Sequence, residues 1–250
     1  MQSKTMEAAS GESQYLSRRT FLKLTSGAAM TGVFSASLSG SLVYADALGK
    51  EKRDKMTPDE ILAALKRGNA NFSKGLRTSR NYINEQKVTA KGQYPAAIVL
   101  SCIDSRAPAE VIMDLGIGDI FNARVAGNIS NDDILGSMEF ACKLEGAKVV
   151  LVMGHTSCGA IKGAIDNAEL GNLTGLLAKI KPAMKATTFK GELSSKNGAY
   201  VDAVAQKNVE LTLTDIRKKS PVLAELESKG MIKIAGAMYN LETAKLNFFA

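Results

Sequence analysis

Two short motifs hold the residues of this 250-residue chain best suited to chemistry: Ser101-Cys102-Ile103-Asp104-Ser105-Arg106 and Gly154-His155-Thr156-Ser157-Cys158-Gly159. His155 is the only imidazole, and Cys102 and Cys158 are two of the three thiols. Two sulfurs and one nitrogen form a soft donor set that suits Zn2+, one ion per chain, and three protein ligands leave a fourth tetrahedral position open, as catalytic sites do. His155 and Cys158, three residues apart, reach one ion from a single turn, while Cys102 joins from elsewhere. Asp104 either ligates the metal itself or hydrogen-bonds its water. Arg106, two residues on, pairs with that carboxylate and keeps it ionised. The rival reading, a redox pair of Cys102 and Cys158, lacks the Cys-x-x-Cys spacing and leaves the His and Asp unexplained. Cys142, in an apolar helical pattern, reads as an inert small hydrophobe.

The elements that must position these motifs follow from hydrophobic patterning. Ala96 to Leu100 and Lys148 to Met153 are short continuous apolar runs, as expected of strands buried on both faces, and each runs straight into one of the motifs. A third strand is expected over Asp119 to Val125. Helix patterns cover Pro108 to Leu115, Asp132 to Leu144, Gly159 to Ala168, Leu173 to Met184, Val201 to Lys218 and Val222 to Ser228. Met231 to Tyr239 reads as a further strand and Glu242 to Phe249 as an edge strand. Strands alternating with helices predict an α/β fold with a central, mostly parallel sheet flanked by helices. Both motifs then lie at carboxyl ends of strands, where open parallel sheets bind ligands. Upstream, Thr57-Pro58-Asp59-Glu60 signals a helix start, with Ile61, Leu62, Leu65 and Phe72 at helical spacing. Ser73 to Gly92 is polar and reads as a long connection or a mobile N-terminal arm.

At Cys-x-Asp-x-Arg and His-x-x-Cys the sequence resembles the β-class carbonic anhydrases, from about Pro58 to the C-terminus. The resemblance implies reversible hydration of carbon dioxide to bicarbonate and a proton, by zinc-bound hydroxide. It also implies that Gln93, nine residues before Cys102, hydrogen-bonds the substrate, that Phe121, Val125 and Phe140 form an apolar pocket, and that the Gly159 N–H faces the substrate. The family forms dimers or higher oligomers with active sites at subunit interfaces, so an obligate dimer or larger assembly, a homodimer or homotetramer, is expected. Arg124 and Tyr239 stand where some members have a non-catalytic bicarbonate pocket, but Val99 replaces the tryptophan of that pocket. Two alternatives use the same residues: hydrolysis of carbonyl sulfide, and non-catalytic zinc or bicarbonate binding.

Residues 1–47 read as an export address. Ser17-Arg18-Arg19-Thr20-Phe21-Leu22-Lys23 resembles a twin-arginine signal, an uncharged stretch of small and apolar residues runs from Leu24 to Tyr44, and Ala45-Asp46-Ala47 offers a cleavage site. Gly27, Gly32, Gly40 and many Ser and Thr make that stretch a weak membrane span, so cleavage is preferred over an uncleaved anchor. The expected location is the periplasm, reached through the twin-arginine machinery. Removing the segment takes away four basic and three acidic groups, which leaves residues 48–250 as one domain at +6, with 48–95 as a helical arm and 96–250 as the zinc-binding core. Three cysteines are too few for a disulfide framework, and 32 basic against 25 acidic residues, without dense basic blocks, do not point to nucleic acid.

Overall fold

The apolar runs flanking the two motifs become neighbouring strands. In the computed structural model, which describes residues 47–249, they are β1 (Ala97–Ser101) and β3 (Val149–His155), every residue of both buried. β2 is Ile120–Arg124, β4 Lys233–Tyr239 and β5 Leu246–Phe249. The sheet order is β2-β1-β3-β4-β5, with the first four strands parallel and β5 antiparallel at the edge. Alternate residues face opposite sides. Ile98, Leu100, Val150 and Val152 belong to one apolar core, and Ala97, Val99, Val149, Leu151 and Met153 to the other.

Ten helices among the described residues cover these faces or tie down the chain before them: α1 (Lys50–Lys55), α2 (Pro58–Phe72), α3 (Tyr82–Thr89), α4 (Ala109–Ile112), α5 (Asp132–Glu139), α6 (Gly159–Ile165), α7 (Gly171–Ala178), α8 (Lys181–Ala186), α9 (Gly198–Lys219) and α10 (Pro221–Ser228). α2 and α4 pack on one face, α5 to α10 on the other. α2 starts at the expected capping box, in which Thr57 and Glu60 satisfy each other's backbone N–H groups. Its buried Asn69 donates to the carbonyls of Ile112 and Ala244 and accepts from Leu246 N–H, joining α2, α4 and β5.

The strand order decides where a site can form. From β1 the chain crosses to β2 on one side, then returns past β1 to β3 on the other. The connection leaving β1 runs to the α4 face and the one leaving β3 to the α6 face. The loops therefore diverge, and a crevice opens between the carboxyl ends of β1 and β3, where doubly wound sheets bind ligands.

Four expectations need correction. Ser73 to Gly92 is not wholly irregular: Asn81 caps α3 within it, and Arg80, Glu85 and Asp119 pair beneath. The buried side chain of α3 is Glu85, whereas Ile83 and Val88 are exposed, so no apolar stripe announced the helix. Leu173 to Met184 splits into α7 and α8, because Pro182 has no N–H to continue the first helix. The helix from Asp132 changes to a π turn over Phe140–Leu144. β5 starts only at Leu246, after a turn in which Ala244 has φ +58°. The proposed signal segment, including Arg18 and Arg19, lies outside the described residues. Among the described residues no helix is long and apolar enough to cross a membrane.

Candidate metal centre

Cys102 follows the last residue of β1 directly and His155 is the last residue of β3, so two adjacent parallel strands deliver them to the same end of the sheet. Cys158 is the N-cap of α6 and returns towards them after a two-residue turn. The donor atoms of Cys102, His155 and Cys158 all lie within 4.8 Å of one another, and all three residues are buried. The two sulfurs are 4.0 Å apart. A tetrahedral ion with bonds of about 2.3 Å to sulfur would set them about 3.8 Å apart, so the spacing fits zinc.

The imidazole is arranged for the same purpose. His155 Nδ1 lies 2.9 Å from the Thr156 carbonyl, which as acceptor requires the proton on Nδ1 and leaves the lone pair on Nε2. Nε2 is buried and has no partner. An orphaned buried acceptor facing two thiols is the arrangement expected of a metal ligand whose other nitrogen is anchored to a carbonyl.

Asp104 stands beside this cluster, its Oδ2 3.8 Å from His155 Nε2. Arg106 holds it: backbone N–H and Nε both donate to Oδ1 at 2.9 Å, and Nη2 donates to Oδ2 at 2.7 Å. These bonds, chiefly from the guanidinium, hold the carboxyl well below the usual carboxylate range despite partial burial. The Cys102 thiol is pulled down as well, chiefly by hydrogen bonding with Cys158 and further by the Gly127 N–H, which together outweigh its burial. Cys158 is pushed up, by the same contact with Cys102 and by burial. Burial alone would lower the His155 pKa, but Cys102 and Asp104 outweigh it and the net shift is upward.

The backbone around the ligands is tied from several sides. Gly127, at φ +68°, donates its N–H to Cys102 Sγ at 3.4 Å, and a Cβ there would approach Ile180 Cδ1 to 2.7 Å. Arg124, at the end of β2, donates from Nε to the Cys102 carbonyl at 2.9 Å and from Nη2 to the Asp104 carbonyl at 2.6 Å. Asp202 on α9 accepts the Ser157 N–H at 2.8 Å. Thr156 donates its N–H to the Tyr239 carbonyl and accepts the Leu241 N–H at Oγ1.

Comparison with known proteins agrees with this geometry. The family described as carbonic anhydrase matches residues 97–246. The Mycobacterium tuberculosis (strain H37Rv) protein named carbonic anhydrase 2 is 31% identical over 184 residues, covering 73% of this chain and 88% of that protein. A Mycolicibacterium smegmatis carbonic anhydrase is 32% identical over 191 residues, covering 73% and 89%. This chain belongs to the carbonic anhydrase family. Its class is the β class: the crystal structure of the β-carbonic anhydrase CafA of Aspergillus fumigatus aligns with a TM-score of 0.58 at 26% identity, over 76% of this chain and 89% of that one. The fold is also shared with a tetrameric β-carbonic anhydrase from Sordaria macrospora, at 22% identity and TM-score 0.59, over 77% and 98%.

Within one chain of this carbonic anhydrase, the remaining predicted site residues divide into two groups. Val125 follows β2 and donates its N–H to the Ser101 carbonyl, so it borders the Cys102 loop. Gly159, next to Cys158, has open space where a Cβ would point. Gln93, Phe121 and Phe140 are not brought to the cluster. Gln93 is exposed before the amino end of β1, and the five-residue strand alone sets it about 17 Å or more from Cys102, at roughly 3.3 Å per residue. Phe121 lies three residues back along β2 from Arg124, about 10 Å, in register with Ile98. It meets Phe140 edge to face, ring centroids 6.2 Å apart, beside a cavity of 690 Å³ that also touches Asn122, Asp132 and Ser137. Tyr239 is buried at the end of β4, and Arg124 is engaged with the two loop carbonyls rather than with it. Sequence reasoning missed Asp202 and the carbonyl-holding role of Arg124, because each acts on a backbone group distant in sequence and carries no motif.

Proposed function

We propose that this enzyme catalyses the zinc-dependent, reversible hydration of carbon dioxide to bicarbonate and a proton, with Cys102, His155 and Cys158 holding one zinc per chain. The observation that carries the reading is the buried, partnerless Nε2 of His155 facing two close sulfurs, with an ionised Asp104 alongside. Zinc bound there supplies a Lewis acid that brings the pKa of a coordinated water down to about 7.

The residues of the chain do the rest. Asp104 accepts a hydrogen bond from the attacking oxygen and so turns its lone pair towards the substrate carbon. Arg106 keeps Asp104 ionised and, by holding both carboxylate oxygens, restrains it from closing on the metal. The Gly159 N–H, next to Cys158 in the chain, is the donor for a product oxygen. Val125 contributes apolar surface, which an uncharged, nonpolar substrate prefers to water. Gln93, Phe121 and Phe140 lie too far away within a chain, so we assign them to the neighbouring subunit's site in a homodimer or homotetramer. Phe140, 46% exposed, and Ile103, 61% exposed beside the cluster, support that assembly, because such side chains gain from being covered. With His155 committed to zinc, no other imidazole can carry the proton away, and buffer, water or carboxylates must do so.

We also assign residues 1–47 to a twin-arginine export signal and the mature enzyme to the periplasm, on the strength of the Arg18-Arg19 motif. Folded export would let zinc bind before the thiols meet an oxidising compartment.

The deciding experiment measures metal content, carbon dioxide hydration and carbonyl sulfide hydrolysis on residues 48–250. One zinc per chain with hydration dominant, lost in Cys102→Ala, is expected. Sulfide release outpacing hydration, or full hydration in Cys102→Ala, would overturn the reading.

A further inference from the structure

The turn between the two ligands on the α6 side contains a backbone conformation that its sequence does not favour. Ser157 has φ +54°, in the left-handed region, and it is not a glycine. An L-residue there carries a steric cost between Cβ and the following carbonyl oxygen, and such a residue persists only when its surroundings impose it. The position of Ser157 gives the strain a purpose. His155 ends a strand and Cys158 begins a helix, and only one reversal of the chain in two residues lets both side chains address the same point.

One side chain holds the strained peptide itself. Asp202, in the first turns of α9, accepts the Ser157 N–H on Oδ1 at 2.8 Å. A carboxylate accepting a backbone N–H makes a charge-assisted bond, stronger than one between neutral groups. α9 is well placed to impose that position. It is 22 residues long, and its Val204, Val209, Leu213 and Ile216 are buried in the core against the sheet. Gly154 brings it close to β3: a Cβ at Gly154 would lie 2.7 Å from Val209 Cγ2 and from Met238 Sδ. The other atoms of the turn are occupied elsewhere, Thr156 with Tyr239 and Leu241, which leaves Asp202 as the contact that fixes Ser157.

We propose that Asp202 is a positioning residue of the metal centre, holding Ser157 in its left-handed conformation so that His155 and Cys158 present their donor atoms to one ion. The proposal rests on the zinc reading above. It assigns Asp202 no contact with metal or substrate, and it makes the strain at Ser157 the quantity that Asp202 offsets.

The test compares zinc affinity, by competition with a chromogenic chelator, and melting temperature with and without zinc, for wild type, Asp202→Asn, Asp202→Ala, Ser157→Gly and the Asp202→Ala/Ser157→Gly double variant. Outer-sphere changes cost about 10–100-fold in metal affinity, so Asp202→Ala is expected to bind zinc about tenfold more weakly or worse. Asp202→Asn keeps an acceptor oxygen and should stay within about threefold of wild type. Glycine adopts positive φ without the steric cost, so the double variant should recover most of the loss. Unchanged affinity in Asp202→Ala overturns the proposal, as does a loss that Ser157→Gly leaves undiminished. A wild-type protein that binds no zinc refutes the zinc reading instead, which keeps the two failures distinct. If Asp202→Ala proves too unstable to titrate, Asp202→Asn and Asp202→Leu replace it: equal weakening in both would count against the acceptor role, and weakening in Asp202→Leu alone would support it.

Discussion

The two loops that carry the candidate metal-binding set are built on different plans. The loop after β1, from Cys102 to Arg106, is held by charged side chains at the surface: Arg106 grips Asp104, Arg124 grips the carbonyls of Cys102 and Asp104, and Arg106 itself has 58% of its side chain exposed. The loop after β3 is held by packing and by a single carboxylate, Asp202, on the N–H of the left-handed Ser157, with His155 and Cys158 each 1% exposed. The difference follows from what each loop supplies. In the reading proposed above, the second supplies metal ligands, whose distances must be fixed. The first supplies one ligand and the Asp104 carboxylate that accepts from the attacking oxygen, so that carboxylate needs an orientation set by hydrogen bonds and access to solvent.

The contrast can be broken most severely by removing a ligand from the rigid loop. His155→Ala should lose zinc and at least about a thousandfold in kcat/KM, and a strong chelator should do the same to the wild type; metal analysis and stopped-flow hydration read both, and retained activity in either case contradicts a metal centre at this point. In the surface loop, Arg106→Ala should leave zinc content near wild type yet lower kcat about a hundredfold, because Asp104 loses its guanidinium partner while the thiols keep theirs. Should zinc vanish along with activity, the loop would be a ligand scaffold rather than a device for orienting a carboxylate. Arg124→Ala should have a smaller effect, about tenfold faster zinc release, with Arg124→Lys intermediate because an ammonium cannot span both carbonyls in the same fork.

Cys142 supplies the smallest and cleanest contrast, a buried thiol with no partner chemistry. Burial pushes its pKa up to about 12, against about 9 for an ordinary thiol. A raised pKa in the folded state means that the buried neutral thiol favours folding fully below pH 9, and that this contribution fades as pH rises from 9 towards 12. The stability difference between wild type and Cys142→Ala should therefore shrink by about 1 kcal/mol between pH 8 and pH 10 in urea titrations. Native protein at pH 8 should also show no alkylation at Cys142 by iodoacetamide; prompt labelling would contradict its burial.

Much of this was legible in the sequence, for reasons that can be named. Cys102, His155 and Cys158 stood out because a single His beside two of three Cys leaves few alternatives. The strands showed because burial on both faces demands unbroken apolar runs such as Ala97–Leu100. α3 did not show, since its inward-facing residue is Glu85, paired with Arg80. Gln93 was placed by resemblance nine residues from Cys102, and an extended strand turned those nine residues into a distance that no side chain spans within the chain.

What the sequence alone determined is therefore the donor types, their spacing within each loop and the alternation of strands and helices, all of which are local. Only the tertiary structure decided that β1 and β3 are neighbours with connections leaving in opposite directions, that Arg124 and Asp202 reach the two ligand loops, and that Phe121 and Phe140 share a cavity away from the metal set. The reason is physical: hydrogen bonds to backbone groups and strand order depend on contacts between residues tens of positions apart, and those contacts leave no periodic or compositional trace in the chain.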